Sequence, residues 1–468
     1  MPLKRESLDR ITAITGGNLV TNREDMEPYS HDEYATAAYQ VYPAAVVKPG
    51  STGEVAAIVR YCAEVGLPLT ARGGGTGLSA GCTPHPEGIV LSLERLNRIV
   101  DVDVRNLTIT VEAGVTLNQL YQEVEKTGLF FPPHPGDEGA FVGGTVATNA
   151  GGSRAVKYGT IKRFVLGLEV VLASGEIVAL GGKYVKSSTG YCLLDLMIGS
   201  EGTLGIITQV TLALVPRPAS VQTLVVPFES IPAAIRTVPA ILQGGIVPCA
   251  VEFVEHSVIA GAERLLKRTW PTHAGTASLM IILDGPSEEE VLAQAEKVAG
   301  VVEAGGALDV LIADQKSRQA EILELRSMLY EALRPGTVEL FDVCVPRSEI
   351  AGHVEFIHEL EKKVDTSLPT YGHAADGNIH THALKVRFRD GLLGEEQPGW
   401  EEKHRRVREE IYQDAIRRQG IISGEHGIGL VKKEYLLRNL GPVRIELMRA
   451  IKKALDPQGI LNPGKIFD

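Results

Sequence analysis

A short histidine-rich segment offers the clearest chemistry in this sequence. Three of the twelve histidines fall within Gly372-His373-Ala374-Ala375-Asp376-Gly377-Asn378-Ile379-His380-Thr381-His382. Asp376-Gly377-Asn378 predicts a turn. A strand that begins at Asn378 would carry Asn378 and His380 on one face, together with the last histidine. Because the turn would bring His373 close to His380, these two imidazoles are candidate ligands of one metal ion.

A second candidate for chemistry is the pair Glu425-His426, which lies between glycines in Ser423-Gly424-Glu425-His426-Gly427-Ile428-Gly429. Glycines on both sides let a ligand approach the backbone closely. Two imidazoles and one carboxylate leave open coordination positions, as a catalytic metal site requires. This donor set suits Zn²⁺, Fe²⁺ and Mn²⁺ alike. The alternative is that the histidines only form hydrogen bonds at a strand edge.

The stretch Ala71-Arg72-Gly73-Gly74-Gly75-Thr76-Gly77-Leu78-Ser79-Ala80-Gly81-Cys82 predicts an anion-binding loop. Its glycines allow positive φ and remove Cβ atoms, so exposed N–H groups can surround a pyrophosphate beside the charge of Arg72. The alternative is a mobile glycine loop. Gly75–Ala80 formally matches the dinucleotide fingerprint, which requires a helix. The prolines in Thr83-Pro84-His85-Pro86 exclude that helix, and no Gly-Lys-Ser/Thr of a nucleotide P-loop is present.

Two more glycine-rich blocks follow, at residues 142–153 and 199–205, and the second of them leads into an apolar strand predicted at 206–215. A strand at 41–48, a helix opened by the capping box Ser51–Glu54, and a strand at 66–70 form an α/β unit around the first glycine loop.

The pattern changes after Pro216-Arg217-Pro218, which marks a predicted domain boundary. Strands near residues 224–228, 249–254, 279–283 and 307–312 alternate with helices that start near 231, 258, 288 and 317. This order predicts an α+β domain with helices on one face of an antiparallel sheet.

Composition excludes several classes of protein. The formal net charge of −11, without a basic run, argues against nucleic-acid binding. No apolar run approaches the roughly 18 residues of a membrane span, and the N-terminus lacks a signal-peptide core. Five scattered cysteines without C-x-x-C predict neither a disulfide framework nor an iron–sulfur cluster held by this chain. A cytoplasmic location is expected.

The motifs occur in an order that resembles one family over essentially the full length. The three glycine blocks, Gly-His-x-x-Asp-Gly-Asn-x-His at 372–380 and Gly-Glu-His-Gly at 424–427 resemble the vanillyl-alcohol-oxidase-type flavoproteins. Within these, the resemblance is to D-lactate dehydrogenases, the glycolate oxidase catalytic subunit and D-2-hydroxyglutarate dehydrogenase. It implies an α+β fold with a two-part FAD-binding domain (residues 1–218, rejoined by a C-terminal segment 415–468) and an inserted α+β substrate domain (219–414) built on an antiparallel sheet.

The resemblance also implies which residues hold FAD. Thr76 stands where relatives with covalently bound flavin carry a histidine, so non-covalent FAD is expected. The expected FAD contacts are Arg72, Gly73, Gly74, Gly75, Thr76, Gly77, Leu78 and Ser79 at the pyrophosphate, Pro133, Gly143, Gly144, Thr145, Thr148, Asn149, Gly151, Gly152, Gly202, Thr203, Gly205, Ile206 and Ile207 along the rest of the cofactor, and Asn462 from the C-terminal tail.

By the same resemblance, His373, His380 and Glu425 are the expected ligands of a divalent metal, and His426 is the expected base. Arg326 matches an arginine that binds the substrate carboxylate, although on sequence alone it is one basic residue on a helix. Asn378 is an expected substrate contact, although on sequence alone it is a turn residue.

The implied reaction is oxidation of a short D-2-hydroxy acid, D-lactate to pyruvate first of all, by hydride transfer to flavin N5. Electrons would pass to electron-transferring flavoprotein or an iron–sulfur subunit. D-2-hydroxyglutarate dehydrogenases have a lysine where this chain has Leu340, which favours a short apolar substrate. Alternatives are a glycolate or D-2-hydroxyglutarate dehydrogenase, an oxidase that uses O₂ directly, a non-catalytic flavin-binding module, and a metal-stabilised structural protein.

Overall fold

A computed structural model describes residues 3–34, 37–313 and 315–467 of the chain. The helices are α1 Arg5–Thr15, α2 Thr52–Val65, α3 Leu117–Glu125, α4 Val142–Thr148, α5 Ala155–Tyr158, α6 Leu193–Met197, α7 Ile231–Gln243, α8 His256–Leu266, α9 Glu288–Ala304, α10 Lys316–Ser327, α11 Leu329–Leu333, α12 Ile350–Val364, α13 Trp400–Arg417, α14 Lys433–Leu440 and α15 Pro442–Leu455. The strands are β1 Leu19–Val20, β2 Ala45–Val47, β3 Leu69–Arg72, β4 Ile89–Ser92, β5 Ile99–Asp103, β6 Thr108–Glu112, β7 Leu129–Phe130, β8 Val165–Val171, β9 Ile177–Gly181, β10 Ile206–Ala213, β11 Val215–Pro216, β12 Ser220–Phe228, β13 Ala250–Glu255, β14 Ala277–Gly285, β15 Leu311–Ala313, β16 Thr337–Cys344, β17 Thr370–His373, β18 Asn378–Leu384, β19 Val386–Arg389 and β20 Leu392–Glu396.

The chain divides into two compact units. The first unit contains the chain up to Gly151, Thr160–Arg217 and everything from Glu425 onward, and the second contains Gly152–Gly159 and Pro218–Gly424. The second unit begins at Pro218, one residue from the expected boundary at 219, but this division differs from the expected domains in two other places. The short excursion at 152–159 belongs to the second unit, and the return to the first unit begins ten residues later than expected, because α13 packs on α12 in the second unit.

In the first unit, a four-stranded sheet with the order β1-β2-β4-β3 carries the first glycine loop at the end of β3. Strands β2, β4 and β3 are parallel. Helix α2 connects β2 to β3. The Ser51 side chain accepts the N–H of Glu54 at the start of α2, and the helix ends at Gly66 in the left-handed conformation. Only this half of the predicted capping box is present, because the Glu54 carboxylate accepts the N–H of Gly50 and not that of Ser51. Its buried face packs into the core of this sheet.

The first unit also contains a five-stranded antiparallel sheet with the order β5-β6-β10-β8-β9. Part of the second glycine block forms the short helix α4. The C-terminal tail then returns to the first sheet, where Leu461 bridges to Leu69 of β3 and the N–H of Asn462 donates to the Leu69 carbonyl. The C-terminal segment is therefore part of the same compact unit as the N-terminal section.

The second unit is built on a seven-stranded sheet with the order β15-β12-β14-β13-β17-β18-β16, whose strand pairs are antiparallel. Glu252 lies opposite His373, which lies opposite Asn378, while Asp342 lies opposite His380. Because directly opposed residues point to the same face, these five side chains share one face of the sheet. We call this the histidine face.

Helices cover both faces of this sheet, so the expectation of helices on one face was wrong. Arg326 of α10 binds Glu252 on the histidine face, whereas Tyr412 of α13 packs on Phe341, which points to the opposite face. The physical reason is visible in the burial of β14, where Ala277 to Asp284 are buried consecutively. A strand buried on both sides needs a cover on both sides.

Within the described residues, no helix combines the length and apolar character needed to cross a membrane.

Candidate functional site

The Arg72 side chain supports the first glycine loop. Its guanidinium donates to the carbonyls of Pro28 and His31, each at 2.6 Å, and to the sulfur of Cys82 at 3.1 Å. A Cβ at Gly75, which has φ +79°, would lie 2.0 Å from this guanidinium. The side chain thus supports the loop, and the expected contact of Arg72 with the pyrophosphate stays a prediction.

Asp32 is a second support of this loop, and sequence reasoning missed it. Its carboxylate accepts the N–H groups of Gly81 at 3.1 Å and Tyr34 at 3.0 Å. It lies 3.2 Å from the position of a Cβ on Gly77. Burial raises the pKa of Asp32 to about 6, against the lowering effect of these N–H donors and of Arg72. No sequence motif indicates a buried carboxyl group beside this expected anion-binding loop.

The three glycine blocks come together in the first unit. A Cβ on Gly73 would lie 3.5 Å from the Cα of Gly144 in α4, which also carries the expected contacts Gly143, Thr145 and Thr148. A Cβ on Gly202 would lie 3.6 Å from that of Ala71. Among the remaining expected FAD contacts, the Pro133 carbonyl accepts the Tyr121 hydroxyl, and the Thr203 hydroxyl donates to the Ser200 carbonyl. Asn149 ends α4, and its side chain binds Thr160. Gly205 packs on Val170, Ile206 and Ile207 begin β10, and Gly152 is the first residue of the segment 152–159 of the second unit.

Asn462 ties the tail to these blocks. Its side-chain amide donates to the carbonyls of Glu201 at 2.7 Å and Gly81 at 3.1 Å. Its buried Oδ1 accepts no hydrogen bond from any residue that the structure describes. An unsatisfied buried acceptor beside two glycine blocks without Cβ atoms fits a ligand with hydrogen-bond donors, and the polar edge of FAD provides them.

On the histidine face, the imidazoles of His373 and His380 converge. Their Nε2 atoms lie 3.5 Å apart. Nδ1 of His373 donates to a carboxylate oxygen of Glu252 at 2.5 Å, which makes Nε2 the lone-pair nitrogen of the neutral ring. Two imidazole nitrogens on one tetrahedral Zn²⁺ lie about 3.4 Å apart. The donor set therefore fits a divalent metal, and Glu252, which no motif marked, orients one of the expected ligands.

Glu252 also binds Arg326. The guanidinium donates from Nε at 2.9 Å and from a terminal nitrogen to the second carboxylate oxygen, and it stacks over the Tyr371 ring at 5.0 Å. Although burial raises the pKa of Glu252, the neighbouring His373 and Arg326 side chains lower it to about 2. Arg326 is thus placed beside the expected metal ligands by a shared acid, on a side of its helix that faces the sheet.

Asn378 and Asp342 form the other half of the histidine face. The Asn378 amide donates to Oδ1 of Asp342 at 2.8 Å, and the Ser423 hydroxyl donates to its Oδ2 at 2.9 Å. The Asp342 carbonyl accepts the N–H of Gly424. A buried acid therefore anchors the two residues that precede Glu425 in the chain. Asp342 was not predicted as a site residue, because its position opposite His380 depends on the pairing of β16 with β18.

Glu425 and His426 begin the C-terminal part of the first unit. The Glu425 carboxylate lies 2.7 Å from the position of a Cβ on Gly151, which explains the glycine there. The Ser79 hydroxyl, at the end of the first glycine loop, donates to the carbonyl of His426 at 3.0 Å. The expected metal ligand and the expected base are therefore held against two of the expected FAD-binding blocks.

Two further residues of the histidine face, His382 and Leu340, are buried. His382, the last histidine of the segment, is fully buried and hydrogen-bonded to Thr337 at 2.8 Å and Tyr371 at 3.0 Å. Leu340 lies opposite His382 and shares its face, and the expectation that it replaces a lysine of the dicarboxylate-specific relatives stays a prediction.

Comparisons with known proteins agree with this architecture. The model of the FAD binding domain matches residues 43–181, and that of the FAD linked oxidases, C-terminal domain, matches residues 217–466. The chain is 40% identical to a D-lactate dehydrogenase of Anaerostipes hadrus, covering 98% of this chain and 97% of that one. It is 40% identical to the glycolate oxidase subunit GlcD of Bacillus subtilis, covering 94% and 92%. The fold matches that of p-cresol methylhydroxylase, with a TM-score of 0.80 at 19% identity over 99% and 96% of the chains.

A two-part FAD-binding unit with an inserted antiparallel sheet defines a flavoprotein of the vanillyl-alcohol-oxidase type, as the sequence predicted. The chain belongs to the FAD-linked oxidase family, in the branch of FAD-linked D-2-hydroxy acid dehydrogenases. It is an FAD-dependent oxidoreductase.

Proposed function

We propose that this flavoenzyme oxidises D-lactate to pyruvate at a metal-assisted site. The observation that carries the proposal is the convergence of His373 and His380 on one sheet face, with their Nε2 atoms 3.5 Å apart and Arg326 bound to the same acid as His373. A flavin-binding module without catalysis has no use for this set. The 40% identity to a D-lactate dehydrogenase over nearly the whole chain supports the choice of substrate.

Each side chain has a defined task in this proposal. His373, His380 and Glu425 hold a divalent metal, which when bound supplies Lewis-acid polarisation of the substrate hydroxyl. Arg326 binds the substrate carboxylate through its planar guanidinium, and Asn378 contacts the same substrate. His426 accepts the hydroxyl proton, a task suited to imidazole near neutral pH. FAD, held without a covalent bond, supplies the hydride acceptor.

The uncharged Leu340 favours a short substrate over a dicarboxylate. Leu340 is 7% exposed and lies on the histidine face, two residues along its strand from Asp342. A second substrate carboxylate near Leu340 would lose its hydration without gaining a cation, which costs several kcal/mol. Glycolate, the substrate class suggested by the name of the Bacillus subtilis relative, also lacks a second carboxylate and is the second candidate.

Electrons must leave the reduced flavin through another molecule. The cysteines are scattered and form no C-x-x-C pair, so the chain offers no ligand set for a cluster of its own. We propose electron-transferring flavoprotein as the acceptor, with an iron–sulfur subunit as the alternative. Oxygen consumption during turnover would instead indicate an oxidase.

The decisive experiment is an anaerobic absorbance titration of the purified protein with D-lactate, L-lactate, glycolate and D-2-hydroxyglutarate. Bleaching of the flavin band by D-lactate, and not by the other three, is the expected result. His426→Ala should keep FAD bound and abolish the bleaching, whereas His273→Ala, which changes an exposed histidine, should bleach normally. A flavin band that no 2-hydroxy acid bleaches would refute the proposal.

A further inference from the structure

Glu201 lies under the loop that carries His426. Its two carboxylate oxygens accept the N–H groups of Ile428 and Gly429, each at 2.8 Å. Ile428 and Gly429 lie two and three positions after His426 in the chain. No motif of the family resemblance assigned a task to this glutamate, which stands in the third glycine block beside Gly202.

The loop approaches this carboxylate closely at Gly427. A Cβ at Gly427 would be 3.0 Å from the Oε1 and Cδ atoms of Glu201, and Gly427 has φ +81°, a conformation that side chains disfavour. Gly429 has φ +51°. A segment with two such glycines has a large choice of backbone conformations, so an external partner is needed to select one of them.

A second support holds the two ends of this loop, at His426 and Leu430. The Ser79 hydroxyl donates to the His426 carbonyl at 3.0 Å, and the Ser79 carbonyl accepts the N–H of Leu430 at 3.0 Å. The backbone of His426 is thereby fixed by Ser79, and the backbone after it by Glu201. These contacts hold the chain from the His426 carbonyl to Leu430, so they restrict the direction in which the Cα–Cβ bond of His426 leaves the backbone.

We infer that Glu201 is a positioning residue for His426, acting through the N–H groups of Ile428 and Gly429. The inference rests on the proposed function, since it takes His426 to be the base. The chemistry requires a carboxylate, because only that group presents two acceptors to two donors. A glutamine would offer one acceptor, and its NH₂ would oppose a backbone N–H.

The test is Glu201→Gln in the FAD-loaded protein, with Glu64→Gln as the matched control, since Glu64 is an exposed glutamate of the same unit. Loss of one charge-assisted bond should slow flavin reduction by about 10- to 100-fold, while KM and FAD content stay near wild type. Hydrogen–deuterium exchange should accelerate at Ile428 and Gly429 and remain unchanged elsewhere. Glu64→Gln should match wild type in both measurements.

Wild-type kcat in Glu201→Gln, even with lowered thermal stability, would overturn the inference. If Glu201→Gln does not fold, Gly427→Ala tests the same contact from the loop side. It should lower kcat with KM preserved, and wild-type kcat in this variant would overturn the inference. Where both variants fold, their effects should be non-additive. A wild-type protein that no 2-hydroxy acid reduces would fail the proposed function, while the exchange rates would still decide whether Glu201 holds the loop.

Discussion

Nδ1 of His373 lies 2.5 Å from the carboxylate of Glu252, a residue 121 positions earlier in the chain, and the same carboxylate binds Arg326. One buried acid thus fixes an expected metal ligand and an expected substrate-binding cation. Histidines that bind metals commonly donate their other ring N–H to such an acceptor, which sets the tautomer and the ring orientation.

Glu252→Gln should weaken metal binding by about 10- to 100-fold, the usual cost of losing the partner of a metal-binding histidine. Competition with a chromophoric chelator measures this directly. Glu255→Gln is the control, because Glu255 lies on the same strand and also binds a histidine, His358 at 2.7 Å. Equal zinc affinities in the two variants would contradict the assignment of His373 as a ligand.

Gly151→Ala should also weaken metal binding. The new Cβ would lie 2.7 Å from a carboxylate oxygen of Glu425, so the carboxylate must move. The metal content after dialysis against a weak chelator reports the effect. Gly300→Ala, in α9 with nothing within 4 Å of the new methyl group, should retain its metal. Full metal content in Gly151→Ala would exclude Glu425 as a ligand.

Leu340→Lys should shift the substrate preference toward D-2-hydroxyglutarate. An ammonium on the histidine face would pair with the distal carboxylate, and one charge-assisted bond changes kcat/KM by about 10- to 100-fold. The measured quantity is the ratio of kcat/KM for D-2-hydroxyglutarate to that for D-lactate. Leu340→Met preserves side-chain volume and should leave the ratio unchanged. An unchanged ratio in the lysine variant would show that position 340 lies away from the substrate.

Asp32 should make the stability of the apoprotein depend on pH. Burial raises the pKa of Asp32 to about 6, above its unfolded value near 3.8, so the folded state holds the proton more tightly. Stability is then fully present below about pH 4 and is lost as pH rises through about 6, by about 3 kcal/mol. Asp32→Asn, which stays neutral, should therefore gain on wild type by this amount between pH 4 and pH 7.

Urea unfolding across this pH range measures the difference in the free energy of unfolding between the two proteins. Asp9→Asn, at an exposed position of α1, serves as the control and should show a constant difference from wild type. A constant difference for Asp32→Asn as well would show that the Asp32 carboxyl has the same pKa in the folded and unfolded states.

Local sequence determined a large part of this protein. The Asp376-Gly377-Asn378 turn and the alternation after it predicted a strand from Asn378, and β18 begins there. The Ser51–Glu54 capping box and Gly66 predicted α2. Turns, caps and strand alternation depend on neighbouring residues, so they can be read from the order of residue types. The ordered motifs also carried the family and its FAD cofactor.

Tertiary structure alone decided which distant groups meet. Nothing in sequence marks Glu252 as the partner of His373, or Asp32 as a buried acid under the first glycine loop, because these contacts depend on strand order and chain reversals. The backbone carbonyls that the Arg72 guanidinium binds are likewise not indicated by any sequence motif. The cover on both faces of the seven-stranded sheet is likewise a property of the packed unit, since consecutive burial fits several topologies until the helices are placed.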